Sequence, residues 1–283
     1  MQGGLSWSKF SKLGRFAEEE RADVLVILEA NITEEKMKYF QLKGYTFHGL
    51  FKQRQVASGI LVGIKDSLTA KFAIVKEMNT VDKAEIIKVK ILINKIKFLI
   101  YGIYSPPNNK NLNLDILPVS NNTILVGDFN AASPSWGYET YNQVGKLVED
   151  FSDSNALIVL YNKDDPKSFI HYSGSSTNPD LTIVAANIQD NCKKKVIGDP
   201  GSGHRIVKTT YESFQSKKYE ATRTSWNFKK ANWKTFNSSL EESIMKPPPK
   251  RRLGSSLKQF SRTQNQVFLT VKCPGTNHSG MMI

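Results

Sequence analysis

Two segments of the chain are strand-length, almost wholly apolar and closed by a carboxylate: Ala22-Asp23-Val24-Leu25-Val26-Ile27-Leu28-Glu29 and Thr123-Ile124-Leu125-Val126-Gly127-Asp128. A run of that kind reads as a strand buried on both faces. Such a strand needs material packed above and below it, so the chain must fold in layers. Further strand-like stretches lie at 45–51, 58–64, 71–76, 85–93 and 96–104, joined by the short turns that antiparallel strands allow. In the fourth, Ile87, Val89 and Ile91 alternate with Lys88 and Lys90, the period of a half-buried strand. Later strands are predicted at 156–161, 168–171, 180–185 and 206–211. Helical spacing marks 8–21, through Phe10, Leu13, Phe16 and Ala17, and also 143–153; a short helix is predicted from Asn31 to about Leu42. Many strands with few helices predict an α/β fold: two mainly antiparallel sheets packed face to face, with the helices outside.

Composition narrows the class. A hydrophobic fraction of 40% over 283 residues supports a sizeable core and excludes global disorder. Cys192 and Cys273 are too few for a disulfide framework or a four-cysteine zinc site. With no apolar run near 18 residues and no signal-peptide pattern at Met1–Lys9, the expectation is a soluble, intracellular protein that does not enter a membrane.

The net charge of +13 is uneven: residues 205–262 hold 14 Lys/Arg against 4 Asp/Glu. With its interleaved aromatics, that segment suits either a nucleic-acid backbone or a solvated tail. Trp226-Asn227-Phe228-Lys229-Lys230-Ala231-Asn232-Trp233, to about Ile244, is predicted as a helix; Pro247-Pro248-Pro249-Lys250-Arg251-Arg252 then forces an extended linker. The expected organisation is a compact domain over 1–219, a basic helical junction over 220–245 and a basic, disordered tail over 246–283.

Several strand ends carry groups with chemistry. Glu29 is either a hard-cation ligand or a polar residue leaving the core. Gly127-Asp128-Phe129-Asn130 is either an Asp/Asn turn or a pair in which the acid takes a proton and the amide holds an oxyanion; an extended segment would put Asp128 and Asn130 on one face. Ala131-Ala132-Ser133-Pro134-Ser135-Trp136-Gly137 reads as a loop presenting an exposed Trp136 to a groove. Tyr104 closes a strand and is either packing or a donor to phosphate. Asp180 opens a strand and His204 follows a glycine-rich loop; together they could form a dyad in which the carboxylate fixes the imidazole tautomer. Gly198-Asp199-Pro200-Gly201-Ser202-Gly203 has the glycine spacing of a phosphate loop, but it continues His204-Arg205, without the lysine and hydroxyl that bind a nucleotide and its Mg²⁺, so no nucleotide cofactor is expected.

Taken in order, Leu28-Glu29, Ser58-Gly59-Ile60-Leu61-Val62, Tyr104-Ser105-Pro106-Pro107, Gly127-Asp128-Phe129-Asn130, Asp180-Leu181-Thr182 and Ser202-Gly203-His204 resemble the endonuclease/exonuclease/phosphatase superfamily. The nearer resemblance is to the apurinic-endonuclease-like domain of jockey-type non-LTR retrotransposons, and 226–233 resembles its junction toward a reverse transcriptase. The resemblance implies a DNase I-like four-layer sandwich and a nuclear enzyme that hydrolyses phosphodiesters in DNA with Mg²⁺ or Mn²⁺, with element RNA as a further partner. It implies Glu29 on the metal, Asp128 on the attacking water with Asn130 beside it, Tyr104 on the phosphate, and Asp180 holding His204. Trp136, Lys229, Lys230, Arg251 and Arg252 would contact nucleic acid. The sequence departs from the family at Gly203, where an acid usually precedes the histidine, and at its start, where a first strand bearing a metal-site Asn is expected. A phosphatase or phosphodiesterase of the same superfamily, and a nucleic-acid-binding remnant without turnover, are the alternative readings.

Overall fold

The computed structural model describes residues 5–52, 57–93, 95–212, 237–238, 241 and 280–282. Its first helix, α1 (Trp7–Glu19), is capped by the Ser6 hydroxyl and leads into β1 (Ala22–Ile27), buried at all six positions. The strand alternates between two cores. Val24 and Val26 join the large inner cluster, whereas Leu25 and Ile27 pack with Leu13 and Ala17 of α1. The two-sided burial read from the sequence is therefore a sheet with a sheet on one face and a helix on the other.

The chain continues through α2 (Glu34–Met37), β2 (Tyr45–Leu50), β3 (Ile60–Lys65), β4 (Thr69–Lys76), β5 (Glu85–Ile93), β6 (Ile96–Tyr104) and β7 (Thr123–Asp128). Then come α3 (Gln143–Ser154), β8 (Leu157–Val159), a hairpin of β9 (Phe169–Ile170) and β10 (Ser176–Thr177), β11 (Asp180–Ala185), β12 (Cys192–Gly198), β13 (Ile206–Tyr211) and β14 (Gly280–Met282). One six-stranded sheet runs β12-β13-β14-β1-β3-β2, the other β4-β5-β6-β7-β11-β8. Pairing is antiparallel except between β6 and β7 and between β1 and β14. The sheets touch closely: a Cβ on Gly102 of β6 would lie 2.8 Å from Val26 Cγ1, and Thr182 of β11 meets Thr209 of β13 hydroxyl to hydroxyl at 3.1 Å. The fold is the α/β sandwich expected.

Three details differ from the sequence reading. The helix predicted from Asn31 to Leu42 is the single turn α2, with no buried residue, because a short helix without a buried face is not self-sustaining. β12 was not anticipated; Lys193, Lys194 and Lys195 interrupt its apolar pattern, as suits an edge strand that must not pair further. Within the tail expected to be disordered, Gly280–Met282 pairs between β1 and β13.

The chain divides into a unit of 1–214 with 265–283, and another of 215–264. Of the second, Asn237, Ser238 and Glu241 are described, and all three are helical. The rest of the predicted junction helix, with Lys229, Lys230, Arg251 and Arg252, lies outside the described residues. Among the described residues no helix is long and apolar enough to cross a membrane.

Candidate active site

Strand register builds the site. Glu85, Tyr104, Asp128 and Asp180 are paired in succession across β5, β6, β7 and β11, so their side chains share one face in a single row. Thr182 lies two residues on from Asp180 and reaches the opposite sheet, so this row faces inward at the end of the sandwich. From that opposite sheet come Glu29, just past β1, and His204, just before β13. Glu29, Asp128, Asp180 and His204 line one pocket.

Gly127 sets the height of Asp128. Its φ is +152°, and a Cβ there would lie 1.8 Å from the Ile103 carbonyl oxygen, so only glycine lets β6 and β7 approach this closely. Asp128 and Asp180 are then cross-strand neighbours, both buried. His204 stands between them: Nδ1 is 3.1 and 3.2 Å from the Asp180 carboxylate oxygens, and Nε2 is 3.8 Å from Asp128 Oδ2. One ring nitrogen is thus oriented by a carboxylate while the other faces the pocket.

Burial, the nearby Asp180 and, less strongly, Glu29 push the Asp128 carboxyl well above the usual carboxylate range, against the pull of His204 and the Asn130 amide. For His204, burial opposes the charge, but Asp180, through charge and hydrogen bond, with Asp128 and Glu29, raises the pKa from 6.5 to about 9. Behind Asp180, the Lys194 ammonium donates to its backbone carbonyl at 3.1 Å, and burial lowers that lysine's pKa. Asp128, Asp180 and His204 also place ligand atoms within 4.8 Å of one another, an arrangement that could hold a metal ion.

Not every sequence candidate reaches the pocket. Asn130 is not extended but left-handed, at φ +47°; its side-chain amide donates to the Ser105 carbonyl at 2.9 Å and its backbone N–H to Asp128 Oδ1 at 3.1 Å. It shapes the turn behind Asp128 instead of sharing a face with it. Tyr104 sits in register beside Asp128 and is 1% exposed. The exposed Trp136 expected in the loop is overturned: it is 1% exposed, and its indole N–H donates to the Ala131 carbonyl at 2.9 Å. The 3-10 turn Pro134–Trp136 folds the ring beneath the loop, and a partner for the indole N–H removes the cost of burying it.

Two features escaped the sequence reading. Lys9 lines the pocket together with Leu13; the i, i+4 spacing of the two in α1 was the available signal. The strand expected at 168–171 pairs with β10 in a hairpin beside His204, with Phe169 bridged to His204 and their rings 4.6 Å apart, and the hairpin presents Tyr172, 96% exposed; this placement was the second feature missed.

Residues 98–208 match the family described as endonuclease-reverse transcriptase. No curated protein matches the chain. Among solved structures, the chain is similar to the endonuclease domain of TRAS1, a telomere-specific non-LTR retrotransposon, at 19% identity over 71% of this chain and 90% of that one, with a TM-score of 0.55. An AP endonuclease from Leishmania major is 16% identical over 72% of this chain and 83% of its own, TM-score 0.54. The Xenopus laevis APE2 catalytic domain is 14% identical over 73% and 88%, TM-score 0.51. The chain thus has the DNase I-like fold of these endonucleases, and its residues 98–208 are similar to the endonuclease-reverse transcriptase family.

Proposed function

We propose that this chain is a metal-dependent DNA endonuclease that nicks its target by phosphodiester hydrolysis, making the cut that primes copying of a retrotransposon. The observation that carries this reading is His204 held between Asp180 and Asp128 in one pocket with Glu29. Carboxylate oxygens are the hard donors that Mg²⁺ or Mn²⁺ takes, so Glu29 suits such an ion. His204, held by Asp180 through Nδ1, is assigned to the phosphate through Nε2. The bound ion would acidify water and offset charge on the phosphate oxygens.

The remaining chemistry belongs to the side chains. Asp128, its pKa lifted toward neutrality, takes the proton of the attacking water. The His204 imidazolium faces the phosphate through Nε2 and stabilises the charge that builds there, while Asp180 fixes the ring through Nδ1. Tyr104 stands in register beside Asp128, and Asn130 holds the turn that aims the acid.

DNA is the substrate that fits the basic segment 205–262, in which Lys229, Lys230, Arg251 and Arg252 would neutralise phosphates and make binding steeply salt-dependent. The exposed hairpin at Tyr172 adds an aromatic side chain beside the reacting centre. Chromosomal DNA as target implies a nuclear location, with element RNA as a second ligand. The test is plasmid nicking in Mg²⁺, in Mn²⁺ and in EDTA. Metal-dependent conversion of supercoiled to open-circular DNA is expected, and its loss in Glu29→Gln and His204→Ala. A full-length wild-type chain that binds DNA but never nicks it would favour the binding remnant.

A further inference from the structure

Glu85 opens β5 with none of its surface exposed. Taking a carboxyl group fully out of water is unfavourable unless it is well paired, so its position asks for a reason. Its Oε2 accepts the backbone N–H of Gly59 at 2.7 Å. Gly59 precedes β3 and so belongs to the opposite sheet; its φ is +88°, and a Cβ there would lie 3.0 Å from the Leu50 carbonyl oxygen and 3.2 Å from the Lys52 nitrogen. The same short segment holds the turn that follows β1. The Gly59 carbonyl accepts the Ala30 N–H at 3.0 Å, and the Ser58 carbonyl accepts the Asn31 N–H at 2.9 Å. Glu29 and Asn31, on either side of Ala30, have left-handed φ angles of 50° and 54°. Non-glycine residues persist in that region only where their surroundings hold them.

We propose that Glu85 is a positioning residue for Glu29: its carboxylate clamps the segment at Gly59, and that segment holds the left-handed turn that aims Glu29 into the pocket. The inference rests on the reading of Glu29 as a metal ligand. Register gives it a purpose. Glu85 belongs to the row that carries Tyr104, Asp128 and Asp180, so one row of one sheet bears Asp128 and also fixes the backbone of Glu29 on the other. The two sides of the site are thereby set against each other. Glu85 is not itself a ligand beside Asp128, because two strand spacings, about 10 Å, separate them.

The experiment compares the full-length wild type with Glu85→Leu, Glu85→Gln and Glu29→Gln. It reads amide hydrogen exchange, thermal unfolding and Mn²⁺ binding by calorimetry. Leu fills the space but removes the acceptor; Gln keeps an acceptor oxygen. In Glu85→Leu, exchange over 28–32 should speed by about three- to tenfold while β6 and β7 keep their protection. Its Mn²⁺ Kd should rise by about tenfold, the usual effect of losing a group that holds a ligand in place. Glu85→Gln should restore both. Unchanged exchange over 28–32, loosening spread evenly over the domain, or faster exchange with an unchanged Mn²⁺ Kd would each overturn the proposal. Should wild type and Glu29→Gln both bind no Mn²⁺, the metal reading of Glu29 falls. The exchange pattern then decides separately whether Glu85 holds the turn: a local, Gln-rescued change supports the clamp and any other pattern overturns it.

Discussion

His204 Nδ1 meets the Asp180 carboxylate at 3.1 Å from the opposite sheet, across 24 positions of sequence. The contact fixes which ring nitrogen faces the pocket and favours the imidazolium. Asp180→Asn should therefore lower the His204 pKa from about 9 toward its ordinary 6.5. It should also reduce nicking near neutral pH by about 10²–10⁴-fold, the range for a misplaced acid–base group. Histidine ring resonances followed against pH check the first outcome and a plasmid assay the second.

Stability without metal should fall as pH rises. The folded pKa of His204 lies above its unfolded value, so its contribution is complete below pH 6.5 and is lost as pH climbs through about 9. Asp128 has the same sign: its raised pKa favours the protonated acid, and deprotonation at higher pH sets it against Asp180 and Glu29. The melting temperature of the EDTA-treated protein should decline between pH 6.5 and 9, and His204→Gln should flatten that decline. A melting temperature constant over this interval would contradict the charge arrangement.

How much of this was legible in the sequence depends on what each residue's neighbours had to be. β1, β5, β6, β7, β11 and β13 could be read because two-sided burial and strand alternation are written into consecutive residues. Glu29, Asp128, Asp180 and His204 could be singled out because each stands where a strand begins or ends, and strand ends are where polar groups leave a core. Asn130 was misjudged because an extended continuation was assumed where the chain turns left-handed. Glu85 was invisible: an acid at the start of an alternating strand resembles a solvent-facing residue, and only the opposite sheet gives it a partner. β9 falls within the strand expected at 168–171, but its partner β10 is two residues long, below what any period can reveal.

Trp136 supports the loop from beneath and does not face a groove. As a buried side chain with its N–H satisfied, it should cost about 3–5 kcal/mol of unfolding free energy when replaced by Ala. DNA affinity measured on the folded fraction should not change. Denaturant titration paired with a binding isotherm distinguishes this from a groove-lying tryptophan, for which the affinity would fall and stability would hold.

Tyr172 should behave in the opposite way. It is 96% exposed on the hairpin beside His204, so removing its ring leaves the core intact. If it stacks on a base, Tyr172→Ala should weaken DNA binding by about 5- to 100-fold, with no change in melting temperature. Tyr172→Phe should retain most of the affinity, because stacking needs the ring and not the hydroxyl. Fluorescence anisotropy with a labelled oligonucleotide measures the two affinities, and thermal unfolding the melting temperature.

Gly203 sets the last expectation. It directly precedes His204, and its carbonyl accepts the Ile170 N–H at 2.8 Å, so the backbone here belongs to the pairing between the hairpin and the site. Its φ is not positive, so an L side chain is compatible with the local conformation. Glycine brings no oxygen ligand of its own to a pocket already lined by Glu29, Asp128 and Asp180. Gly203→Asp adds a carboxylate there, which in a metal-free site increases repulsion and in a metal-loaded one is offset by the ion. The variant should therefore melt at a lower temperature than wild type in EDTA. It should also bind Mn²⁺ more tightly, by about tenfold or roughly 1.4 kcal/mol. The gain in affinity should vanish in a Glu29→Gln background, because both carboxylates act through one shared ion. A gain that survives Glu29→Gln would mean that the new acid makes a separate site, and an unchanged melting temperature in EDTA would mean that position 203 does not face the acidic pocket.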